Sequence, residues 1–222
     1  ARCMENGFGL GDKISVITNG FDPDDYSGIA PTSFAQPTVV YAGTFYPPLR
    51  VIHPVLDAIG RVNRSGLPDG KAIRLLYLGP NQSHVMEAAK ETGTGQWVDD
   101  GGFVSREAVW AALKGALAAV VITSVQDTAT PQVDTILTGK LFEAMGARAK
   151  VLLVAPPGTE AARVVTQSNA GRSFAGSDVA GMADWLQQLA CGSATGPGSK
   201  VHAYAWPEIA KKADAALRRV LI

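Results

Sequence analysis

Apolar, β-branched runs alternate with amphipathic segments along most of this chain, and that alternation constrains the fold more than any other feature. The runs are ISVIT (14–18), TVVYAG (38–43), IRLLYLG (73–79), QWVDDGGFV (96–104), LAAVVITS (117–124), KVLLVAPPG (150–158) and AGRSFAG (170–176). Between them apolar residues recur near helical spacing, as in Val51, Val55, Leu56, Ile59 and Val62. Pro54 falls in the first turn of that helix, where proline is tolerated. Ser105, Thr159 and Asp178 stand where helix caps are expected. A last helix carries Trp206, Ile209, Ala213, Leu217 and Val220 on one face. Continuous apolar strands interleaved with helices predict an α/β chain: one mainly parallel sheet with helices on both faces.

Composition narrows the function. The 222 residues suffice for a sizeable core, and 46% are apolar against 18% charged. A net charge of zero offers no footprint for nucleic acid, so no nucleic-acid partner is expected. No apolar run approaches the roughly 18 residues of a membrane span. Cys3 and Cys191 lack metal-ligand spacing and read as reduced, structural thiols. His53, His84 and His202 are scattered and read as surface or packing residues. No metal site is expected. The chain does not begin with Met and its first residues show no signal-peptide pattern, so it is expected to be a segment of a longer protein.

In open parallel sheets, ligands sit beyond the carboxyl ends of the strands. Four connections are expected to meet there: AGTFYPPLR, GGFVSRE, SVQDTATPQVDTILTGK and APPGTE. The third is the longest, and long loops at that edge often carry function. It ends at Gly139 and Lys140, which open a helix. A helix start exposes unpaired N–H groups and partial positive charge, which suit phosphate. Thr138 can cap that helix or bind an anion. Lys140 adds a full charge, and Arg50, read as the start of another helix on the same rim, adds a second. The arrangement suits a diphosphate, although two unrelated surface cations would look the same. Glu143, one turn into the helix, can accept two hydrogen bonds from a vicinal diol such as a ribose. It reads equally as an exposed acid near a positive helix end.

Other motifs fail on context. GFGLG (7–11) precedes the first strand and opens no helix, so it is not a dinucleotide fingerprint. GSATGPGSK (192–200) follows a helix with the wrong spacing for a phosphate loop and reads as a linker. No nucleophile elbow and no Ser-His-Asp order is present.

Three stretches carry a family resemblance: VITNGFDPDDY (16–26), TVVYAGTFYPPLR (38–50) and TGKLFEAMGARAKVLLV (138–154). In that order, with GGFVSREAVWAALKGALAAVVITS between the last two and AYAWPEIAKKADAALRRVLI at the end, the chain resembles the carboxyl-terminal, donor-binding half of a GT-B-type glycosyltransferase, closest to the family-4 group. The resemblance implies a Rossmann-like three-layer sandwich over 38–200, a linker segment with a short strand over 1–37, and a terminal helix over 201–222 that crosses back to an amino-terminal domain. It implies that Glu143 holds the ribose hydroxyls and that Gly43 lets the backbone approach the diphosphate. Arg50 resembles the basic residue that neutralises the diphosphate, displaced by one position. Phe103 and Val104 would border the base, and Thr138, Gly139 and Lys140 would line the phosphates and the sugar.

Two departures stand out. Members often carry a second acid, for the sugar hydroxyls, eight residues before the ribose-binding one; here that position is Thr135, with Asp134 beside it, and both are counted among the expected donor-binding residues. Where a basic residue often follows the first Gly, Thr44 stands. The implied activity is hexosyl transfer from a UDP-, GDP- or other nucleotide-sugar, with no cofactor. The acceptor site and any base would lie on the amino-terminal domain, so this segment alone is expected to be inactive. A cytoplasmic location is implied, with a membrane-peripheral one open for the full-length protein. Copies could self-associate through the exposed interdomain face. A non-catalytic nucleotide-binding or assembly module of the same fold, or a nucleotide-sugar epimerase, remain alternatives.

Overall fold

The computed structural model describes residues 14–193 and 199–220. Six strands form one sheet: β1 (Thr38–Ala42), β2 (Arg74–Leu78), β3 (Val98–Asp100), β4 (Ala118–Ile122), β5 (Val151–Val154) and β6 (Gly171–Phe174). The order across the sheet is β3-β2-β1-β4-β5-β6, and every pairing is parallel. The central strands read as unbroken apolar runs because both faces are covered, and β4 and β5 are buried at every position. The edge strands are short and more polar, and β6 is buried only at Phe174.

The helices are α1 (His53–Ser65), α2 (Gln82–Glu91), α3 (Arg106–Gly115), α4 (Pro131–Asp134), α5 (Gly139–Gly146), α6 (Glu160–Ser168), α7 (Val179–Ala190) and α8 (Trp206–Val220). Alternate strand residues feed two cores. Val39, Tyr41, Val120 and Ile122 pack with α1, α2 and α7 on one face. Val40, Ala119, Val121 and Leu153 pack with α3, α5 and α6 on the other. This period of two is the strand geometry expressed as two cores, and it makes the predicted three-layer sandwich.

Local signals act largely as expected. Ser105 Oγ accepts from Ala108 N at 3.2 Å, and Asp178 Oδ1 accepts from Gly181 N at 2.9 Å. Thr159 stands at the start of α6, but its hydroxyl donates to Pro156 O at 3.0 Å and leaves the helix uncapped by that side chain. Pro54 does sit in the first turn of α1.

Other expectations need correction. Residues 14–20 form no strand, and Val16 and Ile17 are exposed and pair with no strand among the described residues. Arg50 does not open a helix. It closes a turn in which Tyr46 and Arg50 exchange backbone hydrogen bonds of 3.1 and 3.0 Å, and α1 begins three residues later. The Pro47–Pro48 pair inside that turn cannot donate to a helix ladder, which delays the helix. The long loop after β4 contains α4, unforeseen, with Thr130 Oγ1 accepting from Val133 N at 3.3 Å and Pro131 in its first turn. Of the predicted apolar face of α8, Ile209 is buried while Trp206 and Leu217 are 43% and 64% exposed. GFGLG, Cys3 and most of the 192–200 linker lie outside the described residues; Cys191 is exposed with a free thiol.

The segment leading into the sheet returns to α8. Phe21 N donates to Tyr204 O at 3.1 Å, and Trp206 N donates to Phe21 O at 2.8 Å. Tyr26 inserts beside Trp110, ring centroids 4.9 Å apart, and so joins the core under α3 and α5.

Candidate functional site

The strand order reverses between β1 and β4, and crossovers leave that point in opposite directions. A crevice therefore opens over the carboxyl ends of these two strands. Gly43 follows β1 and Thr123 follows β4, while α5 enters from the same side.

Gly43 has φ +134°, which disfavours any side chain, and a Cβ added there would collide with the Lys140 side chain. The lysine thus lies directly over a bare stretch of backbone. Its ammonium also sits 5.1 Å from the centroid of the Tyr41 ring. Burial lowers the Lys140 pKa from the ordinary lysine range, the nearby Arg50 charge lowers it further, and Glu143 partly opposes both. Arg50 reaches the same place across the turn. Its Nε donates to Thr123 O at 3.3 Å and its guanidinium lies over Tyr46, 5.1 Å from the centroid. Two cations are thereby held together at the switch point, and neither forms an ion pair with a carboxylate among the described residues. Like charges brought together in a partly desolvated place raise the free energy of the protein, and an anion between them would relieve it.

Beside the cations a hollow of about 260 Å³ is lined by Gly43, Leu78, Phe103, Val104, Lys140 and Glu143, with Arg106 and Trp110 on one wall. Glu143 projects from the second turn of α5 into this hollow. Phe103 stands at the rim with 88% of its surface exposed. The Arg106 guanidinium covers the Trp110 ring at 4.8 Å. Buried Trp110 Nε1, Thr123 Oγ1 and Thr138 Oγ1 find no hydrogen-bond partner among the described residues. Buried polar atoms without partners are uncommon, and two of these three belong to the connections that frame the crevice.

Five sequence-predicted residues thus line one hollow: Gly43, Phe103, Val104, Lys140 and Glu143. Arg50 joins them through its proximity to Lys140. Thr138 and Gly139 open α5, and Thr138 makes no side-chain cap bond, so its hydroxyl is uncommitted. Asn19 approaches that helix start: its Nδ2 would lie 3.9 Å from a Cβ added at Gly139. Asp134 and Thr135 sit apart. Asp134 Oδ1 accepts from Arg163 Nη2 at 3.4 Å, and Glu160 holds the same guanidinium at 2.6 Å, which ties this acid to α6. Thr135 is exposed, and neither residue lines the hollow.

Sequence reasoning missed the wall built by Leu78, Gly79 and Pro80 at the end of β2, although a Gly-Pro pair closing a buried strand was visible. It also missed Tyr77. The Tyr77 hydroxyl donates to Gly43 O at 2.9 Å and accepts from Asn81 N at 2.8 Å, pinning the loop after β1 to the start of α2. No sequence signal marks that role, because the residue reads as strand core. No cluster of three or more His, Cys, Asp or Glu side chains fit to hold a metal occurs among the described residues.

No protein-family model matches the sequence, and no curated protein matches it either. Solved structures do match. The lipopolysaccharide outer core galactosyltransferase WaaB superposes with a TM-score of 0.65 at 14% identity, over 94% of this chain and 56% of WaaB. AviGT4, a glycosyltransferase of avilamycin A biosynthesis, superposes with a TM-score of 0.65 at 18% identity, over 100% of this chain and 62% of AviGT4. TarM of S. aureus, solved with UDP bound, gives 0.62 at 16% identity, over 94% of this chain and 41% of TarM. The chain spans less than two thirds of each. It has the fold of one domain of the GT-B glycosyltransferases.

Proposed function

We propose that this chain is the nucleotide-diphosphate-sugar-binding half of a glycosyltransferase. The observation that carries the proposal is the Lys140 ammonium, held partly buried over the bare backbone of Gly43 beside Arg50, with Glu143 in the adjoining hollow. A diphosphate would lie between Gly43, Arg50 and the start of α5. There the two cations and the N–H groups of the helix would stabilise charge building on the departing diphosphate, the largest contribution protein groups make to such a transfer. Glu143 would accept both ribose hydroxyls. Phe103 and Val104 would border the base, and Arg106 with Trp110 closes the wall behind it. Pockets for whole drug-sized ligands begin at roughly 300 Å³. The hollow of about 260 Å³ therefore suits the nucleoside end alone, with diphosphate and sugar in the open crevice.

The acceptor, and any base acting on it, would belong to an amino-terminal domain covering the exposed side of α8. The length of the solved neighbours beyond the matched portion supports that reading. Hexosyl transfer by the complete protein, and inactivity of this segment alone, are part of the proposal.

A second reading is favoured by Asp134, which is engaged by Arg163 instead of facing the crevice. With Thr135 also outside the hollow, no acid besides Glu143 lines it among the described residues, and a non-catalytic nucleotide-binding module would look the same. Calorimetric titration with UDP, GDP and ADP tests the nucleotide site that both readings share, and sugar transfer by the complete protein separates them. Millimolar or tighter binding of one diphosphate, weakened at least about tenfold by Glu143→Ala through loss of a bidentate charge-assisted pair, supports the donor site. Absence of heat from all three rejects nucleotide binding.

A further inference from the structure

A second concavity lies at the opposite edge of the sheet. It measures about 420 Å³ and is lined by Thr38, which opens β1, by Leu117, just before β4, and by Lys150, just before β5. All strands are parallel, so these residues mark the amino ends, remote from the nucleotide crevice. Four positively charged residues are among those lining it, Lys71, Lys114, Arg148 and Lys150, and the site proposed below rests on the first three. Among the described residues no carboxylate lines it; Asp69 lies in an adjoining hollow that shares Lys71. In a chain whose net charge is zero, this is a local excess of one sign in a concave place, where low-dielectric walls focus the field.

Two of the cations are set in place by the fold. Lys114 Nζ donates to Tyr26 O at 2.6 Å and Ile29 O at 2.8 Å, which fixes the ammonium without neutralising it. Arg148 follows α5 with φ +59°, in the left-handed region. The helix closes there in a double turn: Arg148 N donates to Met145 O at 3.1 Å, and Ala149 N donates to Ala144 O at 3.0 Å. That position ordinarily takes Gly, because any side chain there strains the backbone. Arg148 is exposed and is one of the residues that line the cavity. A strained residue of this kind is a pointer to function. Arg148 and Lys71 form no ion pair among the described residues.

We propose that this cavity binds a phosphate-bearing anion, as a site separate from the nucleotide crevice. Its guanidinium and ammonium groups match a phosphate that carries two or more charges. The phosphate could belong to a lipid headgroup or to a soluble phosphate compound, and the test distinguishes them. The proposal does not rest on the nucleotide reading.

The probes are inorganic pyrophosphate, followed through backbone amide NMR shifts, and phosphatidylcholine vesicles with and without an equal part of phosphatidylglycerol, followed by co-sedimentation. The whole chain is used as wild type, as R148G and as K71A/R148G. Saturable pyrophosphate shifts are expected at Lys71, Leu117, Arg148 and Ala149 in wild type and in K140A, which lacks the crevice lysine. Each cation removed near the site should weaken binding about fivefold, and added salt should weaken it further. R148G should unfold at a higher temperature than wild type while binding more weakly, a pairing that structural damage cannot produce. Pyrophosphate shifts without vesicle binding assign a soluble ligand. Vesicle binding that requires the anionic lipid and falls in K71A/R148G assigns a headgroup. Neither saturable shifts at those amides nor lipid-dependent binding, or binding undiminished in K71A/R148G, overturns the proposal.

Discussion

At the scale of single residues, Gly43 and Lys140 act as one unit. The backbone at Gly43 can be bare only because it is glycine, and the lysine occupies the space a Cβ would fill. Gly43→Ala is expected to lower stability by roughly 1–3 kcal/mol, the usual cost of forcing a side chain into such a conformation. Urea titration would measure it, and lost nucleotide affinity should accompany it. The lowered Lys140 pKa has a signed consequence for stability. In the unfolded chain this amine holds its proton to about pH 10.4. In the folded chain it releases the proton earlier, so between the two values the unfolded state binds more protons and stability rises with pH. Below the folded value the full cost of a partly buried ammonium is present. Lys140→Met should therefore show its largest advantage over wild type near neutrality. That advantage should shrink as pH approaches 10, and urea titrations at pH 7 and pH 10 compare the two. An advantage that stays constant would mean that Lys140 has an ordinary pKa.

At the scale of elements, the site is held by short connections between well-packed strands and helices. Tyr77 illustrates this: a residue of β2 holds the loop after β1 and the start of α2 with one hydroxyl. Tyr77→Phe keeps the ring stack with Phe45, whose centroid is 5.3 Å away, and removes only the bonds to Gly43 and Asn81. Nucleotide affinity should fall by about fivefold to tenfold, since one buried hydrogen bond contributes about 1 kcal/mol. The edge strand β3 needs help of its own. It has three residues, and the Arg74 guanidinium of β2 grips both oxygens of Asp99 at 2.5 and 2.6 Å. Because Asp99 is about half exposed, Asp99→Asn is expected to cost no more than about 1 kcal/mol. The local readout is sharper: amide exchange at Val98–Asp100 should accelerate while that of β4 stays unchanged.

At the scale of the whole molecule, two sheet edges carry different chemistry. The carboxyl edge between β1 and β4 gathers two cations, a glycine turn and Glu143, and the amino edge gathers the four-cation cavity. A third surface, along α8 and residues 14–17, mixes exposed apolar residues with Lys212 and Arg219. Leu217, 64% exposed, is its most prominent residue. If copies associate through that surface, sedimentation of wild type should show mass rising with concentration, and Leu217→Asp should suppress the rise. A wild-type monomer at high concentration would show that the surface does not pair with itself. No helix among the described residues is long and apolar enough to cross a membrane.

Much of this was legible in the sequence, and the division follows the range of the forces involved. Strand and helix identity, the two-faced burial of β4 and β5, and the caps at Ser105 and Asp178 depend on neighbours a few residues away. The TGKLFE stretch was legible for the same reason: helix start, lysine and acid lie within six residues. Residues 14–18 misled, because apolar alternation states what a segment could bury and not whether a partner strand is there to receive it. Arg50 misled because the Tyr46–Arg50 turn overrode a helical pattern. What tertiary structure alone decided was the order of the strands and everything that follows from it. Only once β1 stands beside β4 does Lys140 lie over Gly43, ninety-seven residues away in the chain, with Arg50 within electrostatic reach of it. Only then do Lys71, Lys114 and Arg148 share a cavity. Contacts of that kind depend on how layers pack, and packing is a property of the assembled sheet that no local pattern encodes.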